Sequence, residues 1–243
     1  MTVPVHEWLA SPLGQRLYQL ECRLVGEAIA QVFGWQMLQV GVWGEEARLI
    51  AEARTQRKAV LARHSGGAVE VHSRADALPI ASDSVDAVLL PHTLEYEPEP
   101  HDILREVERI LAGEGHVIVL GFRPFSSWGL RHAWSRRGFP PGIERLIGEG
   151  RLRDWLKLLG FEVVEARRYL FTLPWGPAAP RGQPLLESAG ERLWPFLAGA
   201  YLLKARKRVY CKTPIRLSWR KRARVVGGGL LEPTRRDSGR DIA

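Results

Sequence analysis

Short apolar runs of β-strand type alternate with helical or turn segments along most of this chain, and this alternation is its strongest constraint on the fold. Between the fourth and fifth runs, the stretch HDILREVERIL (residues 101–111) carries its apolar residues on one stripe, which predicts an amphipathic helix. Strands separated by helices of this length favour βαβ units and a mainly parallel sheet. The seven runs are Met37–Gly41, Lys58–Leu61, Ala68–His72, Val85–Leu90, His116–Gly121, Phe161–Ala166 and Ala200–Val209.

The predicted sheet is preceded by a helical segment and followed by a basic tail. Ser11-Pro12 suits a helix N-cap, and apolar residues recur at helical spacing as far as Phe33. We therefore divide the chain into an N-terminal helical segment (1–34), a sheet domain (35–210) and a tail (211–243) that is Gly-rich and polar and is expected to be disordered. Two irregular segments near 123–150 and 173–199 contain tryptophans and prolines, and they either cap a ligand site or cover the core.

The positive charge is concentrated near the C-terminal end. The net charge is +8, while residues 204–224 alone contain ten Lys or Arg residues and no acid. The rest of the chain is therefore close to neutral. Such a strip either contacts phosphate or another anionic surface, or is a solvated tail; we favour the tail, which leaves nucleic acid a less favoured partner.

Several classes of protein and site are excluded by the sequence patterns. No apolar run reaches the ~20 residues that a membrane span needs, and the N-terminus lacks signal-peptide character. Cys22 and Cys211 are far apart, which suits a reducing compartment, so we expect a cytoplasmic protein without a membrane span. The histidines show no metal-ligand spacing, and there is no CxxC, HExxH, GxSxG or phosphate-loop motif. We therefore predict no metal site.

The stretch QVGVWG (residues 39–44) follows the first strand-like run. In open parallel sheets, ligands bind beyond the carboxyl ends of the strands where the strand order reverses, so this stretch is a candidate binding loop. Gly41 permits a close backbone approach, but Trp43 stands where a nucleotide loop would favour another glycine. By itself, a Gly-x-x-Gly pattern at a strand end is too common to assign a function.

Two longer stretches are more specific: DALPIASDSVDAVLLPHTLEY (76–96) and HDILREVERILAGEGHVIVL (101–120). Their ordered motifs resemble class I S-adenosylmethionine-dependent methyltransferases of the type-11 group, relatives of the ubiquinone and menaquinone biosynthesis enzymes, over about residues 37–122. His92-Thr93-Leu94 and the segment from Gly121-Phe122 to Gly129 resemble the YafS-type methyltransferases of proteobacteria. The matching motif residues are Asp76-Ala77, Leu78-Pro79, Ser84-Val85-Asp86, Leu94, Arg105-Glu106, Arg109, Leu111, Gly113 and Gly115.

This resemblance implies an α/β protein with a Rossmann-like class I methyltransferase fold, built on a mainly parallel seven-stranded sheet with helices on both faces. It implies transfer of a methyl group from S-adenosyl-L-methionine to an acceptor. The nearly neutral body and the tryptophans of the two irregular segments favour a small or partly apolar acceptor over a protein. The patterns indicate no oligomeric state.

The resemblance also implies the positions of the cofactor-binding residues. Asp76 would accept a hydrogen bond from the adenine amino group, with Ala77 and Leu78 against the ring; the alternative is a turn residue that caps the following loop. The methionine end would lie against the loop after the first strand and the turn after the fourth. The residues assigned to that end are Gln39, Gly41, Val42, Trp43, Pro91 and His92.

His92 is also the candidate catalytic residue. Histidine titrates nearest to neutral pH, so His92 would either hydrogen-bond the acceptor or remove its proton. The alternative is a structural histidine satisfied by neighbouring groups. Glu95 is a weaker candidate at the same rim, whereas Arg105, Glu106 and Arg109 are expected to form ion pairs on the helix face.

The sequence departs from the family pattern at two of three cofactor-binding positions. The first motif usually reads acid-x-Gly-x-Gly-x-Gly; here Gln39 replaces the acid, and Trp43 and Glu45 replace the second and third glycines. The acid expected after the second strand is also missing, since Ala62-Arg63-His64-Ser65 follows Leu61. Three hypotheses therefore stand: an active methyltransferase, which we favour, a non-catalytic interaction or regulatory protein with the same fold, and an RNA-associated methyltransferase that uses the basic strip.

Overall fold

The computed structural model describes residues 5–44, 47–63, 69–136, 138–172, 174 and 198–209. Within these residues the chain forms six α-helices and seven β-strands. The helices are α1 (Val5–Leu9), α2 (Pro12–Ile29), α3 (Thr93–Tyr96), α4 (Pro100–Ile110), α5 (Ser127–Trp134) and α6 (Glu149–Leu158). The strands are β1 (Phe33–Val40), β2 (Arg54–Ala62), β3 (Val71–His72), β4 (Val85–Pro91), β5 (Leu111–Phe122), β6 (Phe161–Tyr169) and β7 (Ala200–Lys207).

The seven strands form one mixed sheet in the order β3-β2-β1-β4-β5-β7-β6. β7 is antiparallel to both β5 and β6, whereas the other neighbouring pairs are parallel. The chain runs outward from β1 to the edge strand β3 and then returns to β4 on the other side of β1. The carboxyl ends of β1 and β4 therefore meet at the point where the strand order reverses, which is where such sheets bind ligands.

Alternating side chains on the central strands supply two cores, one on each face of the sheet. On β1, Met37 belongs to the core that includes α2, while Leu38 and Val40 belong to the core that includes α4 and α6. Strands buried on both faces need helices on both faces. The predicted mainly parallel seven-stranded sheet with helices on both faces is thus confirmed.

The connection from β1 to β2 differs from a full βαβ unit. Between these strands the described residues contain only a 3₁₀ turn, Arg48–Ile50, in place of a helix of several turns. The pair is nevertheless parallel and in close register from Phe33 opposite Arg54 to Val40 opposite Leu61.

The N-terminal helical segment behaves as its capping signals predict. The Ser11 hydroxyl accepts a hydrogen bond from the Gly14 amide (3.1 Å), with Pro12 in the first turn of α2. α2 ends at Ile29, four residues before the expected Phe33, because the chain turns there to enter β1. The tail at 211–243 and most of the segment at 173–199 lie outside the described residues, so those two expectations stay predictions. None of the described helices is long and apolar enough to cross a bilayer.

Candidate functional site

A pocket of about 200 Å³ opens at the carboxyl ends of β1, β2 and β4, at the reversal point of the sheet. Its wall combines the turns that leave these strands with one residue of the N-terminal helix α1. A pocket of this kind suits a small ligand held by a few polar groups. The lining residues are Val5, Val40, Gly41, Val42, Leu61, Ala62, Arg63, Ser73, Ala75, Pro91, Thr93, Tyr96 and Glu97.

Gly41 shapes the wall at the end of β1. Its φ of +96° lies in the left-handed region, and a Cβ at this position would lie 2.6 Å from the Thr93 hydroxyl oxygen. The Gly41 amide donates to the Leu61 carbonyl (2.8 Å), and the Thr93 hydroxyl donates to the Val40 carbonyl (2.5 Å). The ends of β1, β2 and β4 are therefore joined directly around the pocket, and glycine is required at the junction.

Behind this wall lies a buried polar cluster of five residues, Glu21, Trp43, His92, Glu95 and Tyr169, hereafter the Glu21 cluster. One Glu21 carboxylate oxygen accepts from the Trp43 indole nitrogen (2.6 Å), and the other accepts from the Tyr169 hydroxyl (2.9 Å). The latter oxygen also lies 2.9 Å from His92 Nε2, while His92 Nδ1 lies 3.0 Å from Glu95. Every member is buried, so the cluster belongs to the protein interior and not to the pocket surface.

Trp43, expected beside the cofactor, instead points into this interior. Its side chain is 2% exposed, and its ring centroid lies 4.3 Å from that of His92 and 6.4 Å from that of Phe122. The bulk that appeared to obstruct a binding loop is therefore part of the core, because the chain turns after Gly41 and Val42 and carries the indole away from the pocket.

His92 is likewise not placed for contact with an acceptor. Its side chain is fully buried, its ring stacks on Phe122 at 4.2 Å, and both of its nitrogens face carboxylates. This geometry weighs against the catalytic role predicted from the sequence and favours the structural alternative. Glu95 is equally inaccessible, because one of its oxygens pairs with His92 and the other accepts from the Phe122 amide (2.8 Å).

The charge state of His92 follows from its two carboxylate neighbours. Burial alone lowers the pKa of an imidazole, but the Glu21 charge and the hydrogen bonds with Glu21 and Glu95 outweigh it and raise the pKa of His92 to about 9. Burial raises the pKa of the Glu95 carboxyl. An imidazolium between carboxylates matches donors with acceptors at both ring nitrogens.

Stability is therefore expected to fall as pH rises. The folded-state pKa of His92 lies above its ordinary value of 6.5, so the imidazolium stabilises the fold fully below pH 6.5 and this stabilisation is lost as pH approaches 9. At 1.36 kcal/mol per pKa unit, the free energy of unfolding should decrease by about 3 kcal/mol across this window. Urea unfolding at pH 6.5 and pH 9 measures the decrease. His92→Asn is the control, since asparagine tolerates the left-handed backbone (φ 57°) but does not titrate; equal pH dependence in the variant would contradict the assignment.

Comparison with known proteins identifies the family. The family model described as "Methyltransferase domain" matches residues 33–119. The uncharacterised protein YafS of Escherichia coli (strain K12) is 34% identical over 202 residues, which cover 83% of this chain and 80% of YafS. The chain belongs to this methyltransferase family, in the type-11 group. The uncharacterised protein Rv2003c of Mycobacterium tuberculosis (strain ATCC 25618 / H37Rv) is 30% identical over 178 residues, which cover 70% of this chain and 61% of that protein.

Solved methyltransferase structures share the fold. A SAM-dependent methyltransferase from Thermotoga maritima aligns with a TM-score of 0.59 at 20% identity, covering 79% of this chain and 89% of that one. One from Archaeoglobus fulgidus aligns with a TM-score of 0.56 at 15% identity, covering 78% and 94%. Geranyl diphosphate methyltransferase in complex with SAM aligns with a TM-score of 0.53 at 14% identity, covering 83% and 94%. The class I methyltransferase fold expected from the sequence is thereby confirmed.

The residue that replaces the first-motif acid is buried, and only one end of its side-chain amide has a hydrogen-bond partner among the described residues. Gln39 is 2% exposed, and its amide nitrogen donates to the Gly41 carbonyl (3.0 Å). Its amide oxygen has no hydrogen-bond partner among the described residues. An unpaired buried acceptor is costly. Gln39 does not line the pocket, so a ligand would reach this oxygen only if the turn after β1 moved.

The predicted adenine end lies at the edge of the pocket. Ala75 lines it, whereas the Asp76 carboxylate is half-buried and pairs with the Arg74 guanidinium, which lowers the pKa of Asp76. Leu78 is packed in the core, where its amide donates to Glu106 (2.9 Å) and its carbonyl accepts from Arg109 (3.1 Å).

The predicted ion pairs of the α4 face are confirmed. Glu106 pairs with Arg109 (2.7 Å), and Arg105 pairs with Asp102 (2.6 Å). The Glu106–Arg109 pair holds α4 against the loop that carries Asp76, because both of its members also bond the Leu78 backbone.

The side of the pocket after β2 carries a cation in place of an acid. Arg63 lines the pocket where the family pattern expects a carboxylate, while Glu97 contributes a negative charge from the turn after β4. Of the residues predicted to bind the cofactor, Gly41, Val42 and Pro91 line this pocket, and Thr93, Tyr96 and Glu97 line it without having been predicted. Their position directly after the β4 motif was the available signal.

The two irregular segments near 123–150 and 173–199 were predicted to cap a ligand site or to cover the core. Trp128 of the segment near 123–150 is buried and its ring is stacked 5.7 Å from Phe122, and no residue of that segment lines the pocket within the part of the chain that is described. Trp128 and Phe139 therefore pack in the core, whereas Phe125 and Trp134 of the same segment are exposed. Trp175 lies outside the described residues.

The first four cations of the basic strip are engaged within the sheet. Those at 206–208 form ion pairs with acids of neighbouring elements, and Lys204 donates to the Ala28 carbonyl (2.8 Å). The other six cations of the strip, at 212–224, lie outside the described residues, so the nucleic-acid hypothesis stays a prediction. No cluster of metal-ligating side chains occurs among the residues that the structure describes.

Proposed function

We propose that this protein transfers a methyl group from S-adenosyl-L-methionine to a small-molecule acceptor. The observation that carries the proposal is the pocket where the ends of β1 and β4 meet, lined by Gly41, whose missing side chain lets Thr93 pack against the end of β1. The residues that would hold the cofactor are Gln39 and Asp76. The unpaired Gln39 oxygen would accept from the ammonium after a shift of the turn at 41–44, and Asp76, after exchange of its Arg74 contact, would accept from the adenine amino group.

When bound, the cofactor supplies an activated methyl group on a sulfonium. The protein then has mainly to align the two reactants, because in-line attack on such a methyl needs little else. Val5, Tyr96 and Glu97 line the same pocket and are the side chains that we assign to the acceptor. Glu97, unlike buried Glu95, is a carboxylate that reaches the pocket, so it is our candidate for accepting a proton from the acceptor.

Titration calorimetry with S-adenosylmethionine and S-adenosylhomocysteine tests the proposal. We expect dissociation constants between about 1 μM and 1 mM, the range in which enzymes commonly bind their substrates. No binding of either compound at millimolar concentration would refute it and favour the non-catalytic alternative. Two observations support the non-catalytic alternative. Arg63 replaces the acid expected near the ribose, and Asp76 forms an ion pair with Arg74.

Gln39→Glu should tighten binding of S-adenosylhomocysteine by about tenfold, because a hydrogen bond between charged groups is stronger by roughly 1–1.5 kcal/mol than a neutral one. 5′-Methylthioadenosine lacks the methionine ammonium, so its affinity should not increase. Gln19→Glu, at an exposed position of α2, controls for the added charge. Equal gains for both ligands, or a gain in the control variant, would contradict the assignment of the ammonium to residue 39.

A further inference from the structure

Glu21 is a buried carboxylate on an otherwise apolar face of α2. It lies between Leu17 and Leu24, which are also buried, and its side chain is 0% exposed. Three groups converge on it: the Trp43 indole, the Tyr169 hydroxyl and the His92 ring. They come from the loop after β1, from the end of β6 and from the turn after β4. Together with α2, which carries Glu21, four separate parts of the chain therefore meet at one carboxylate.

Two of these partners adjoin the pocket. Trp43 directly follows Val42, and His92 stands between Pro91 and Thr93; all three of these neighbours line the pocket. We call residues 41–44 and 92–97 the two lips of the pocket. His92 has a left-handed backbone (φ 57°), which is uncommon for a residue with a Cβ and is stabilised by contacts that hold the side chain. Its bonds to Glu21 and Glu95 are contacts of that kind.

Net stabilisation does not explain why a carboxylate occupies this position. Removing a carboxylate from water costs free energy, and buried ionic groups can often be replaced by well-packed apolar residues without loss of stability. What an apolar side chain could not supply is a fixed direction. Glu21 holds the indole and the imidazole at distances of 2.6 and 2.9 Å, which orients both lips at once.

We propose that Glu21 is a positioning residue, through which the N-terminal helix α2 holds both lips of the pocket in the geometry that binds the cofactor. Glu21 itself touches neither cofactor nor acceptor. The expected effect of Glu21 on cofactor binding rests on the proposed function. The expected effect on the two lips does not, because it is measured on the protein without ligand.

Two substitutions separate positioning from general stability. Glu21→Met keeps the length of the side chain but removes the acceptor for all three partners. Glu21→Gln keeps an oxygen for Trp43. It also removes the Glu21 charge that raises the pKa of His92, so its amide can donate to a neutral Nε2 and most of the geometry is preserved. Glu27→Gln is the matched control, because Glu27 is on the same helix in an exposed ion pair with Arg167.

The first measurement is amide hydrogen exchange of the ligand-free proteins, with amides of β5 as the reference for global opening. In Glu21→Met, exchange in both lips should accelerate at least about tenfold relative to β5, as expected for local opening. Glu21→Gln should change it by less than about threefold, and Glu27→Gln should leave it unchanged. If Glu21→Met does not fold, Tyr169→Phe, which removes one donor, takes its place with an expected acceleration of about threefold.

The second measurement is S-adenosylhomocysteine affinity by calorimetry. We expect it to weaken at least about tenfold in Glu21→Met and to recover to within about threefold of wild type in Glu21→Gln. If the wild-type protein binds no cofactor, the proposed function fails while the exchange data still decide the role of Glu21. A folded Glu21→Met protein (or, in its place, Tyr169→Phe) whose lips exchange like those of Glu27→Gln would overturn the positioning role.

Discussion

Replacing Trp43 with glycine is expected to lower the free energy of unfolding by about 3–5 kcal/mol, as for other large-to-small core substitutions. Trp43 is among the largest fully buried side chains, and it contacts His92, Phe122 and Tyr96. Its removal leaves a cavity and also takes a hydrogen-bond donor from Glu21. Urea denaturation of the two proteins at one pH measures the loss.

Trp134→Gly is the matched control for Trp43→Gly. Trp134 is the last residue of α5 and is 74% exposed, so its replacement should cost less than about 1 kcal/mol. A different outcome is expected if Trp43 merely obstructs the binding loop: glycine would then leave stability unchanged and tighten cofactor binding. That result would contradict the core position of the indole.

Replacing Gly41 with alanine is expected to weaken S-adenosylhomocysteine binding by at least about a hundredfold, corresponding to 2.7 kcal/mol or more. The new Cβ would lie 2.6 Å from the Thr93 hydroxyl oxygen at a backbone φ of +96°, so the turn must move. Strain of this kind costs about 1–3 kcal/mol of stability. Because Gly41 joins the ends of β1, β2 and β4, the movement deforms the pocket wall itself. Calorimetry and thermal unfolding measure the two effects.

Gly150→Ala is the corresponding control, because nothing lies within 4 Å of a Cβ at that position in the first turn of α6. Alanine there should leave binding unchanged and raise stability by up to about 1 kcal/mol, the difference in helix propensity. If Gly41→Ala binds S-adenosylhomocysteine as tightly as Gly150→Ala does, the ligand does not use the turn after β1 and the pocket has been assigned to the wrong compound.

Local patterns were enough to predict the elements of the sheet. Each of the seven strand-like runs corresponds to a strand, and the apolar stripe of residues 101–111 corresponds to α4. These features depend on side-chain periodicity and capping, which neighbouring residues determine. The structure extends β2 back to Arg54 and β5 back to Leu111, because pairing with neighbouring strands recruits residues that show no strand pattern of their own.

The candidate site was predicted only in part. Gly41, Val42 and Pro91 follow from the rule that ligands bind where the strand order reverses, and they line the pocket. The predictions for Trp43 and His92 assumed that residues beside the pocket point into it. The direction of a side chain after a turn depends on backbone angles, such as the positive φ at Gly41 and His92, which residue order alone does not reveal.

The sequence by itself determined the order of strands and helices, the family and the edge of the sheet at which the pocket lies, because these depend on periodicity and on motifs close together in the chain. Only the tertiary structure decided what lies behind that edge. Glu21 stands 71 residues from His92 and 148 from Tyr169, and the three meet because α2, the turn after β4 and the end of β6 pack together. One acid within the apolar stripe of α2 was the sole local sign of this contact. Its partners could not be inferred, since hydrogen-bond direction and burial arise only when distant segments exclude water together.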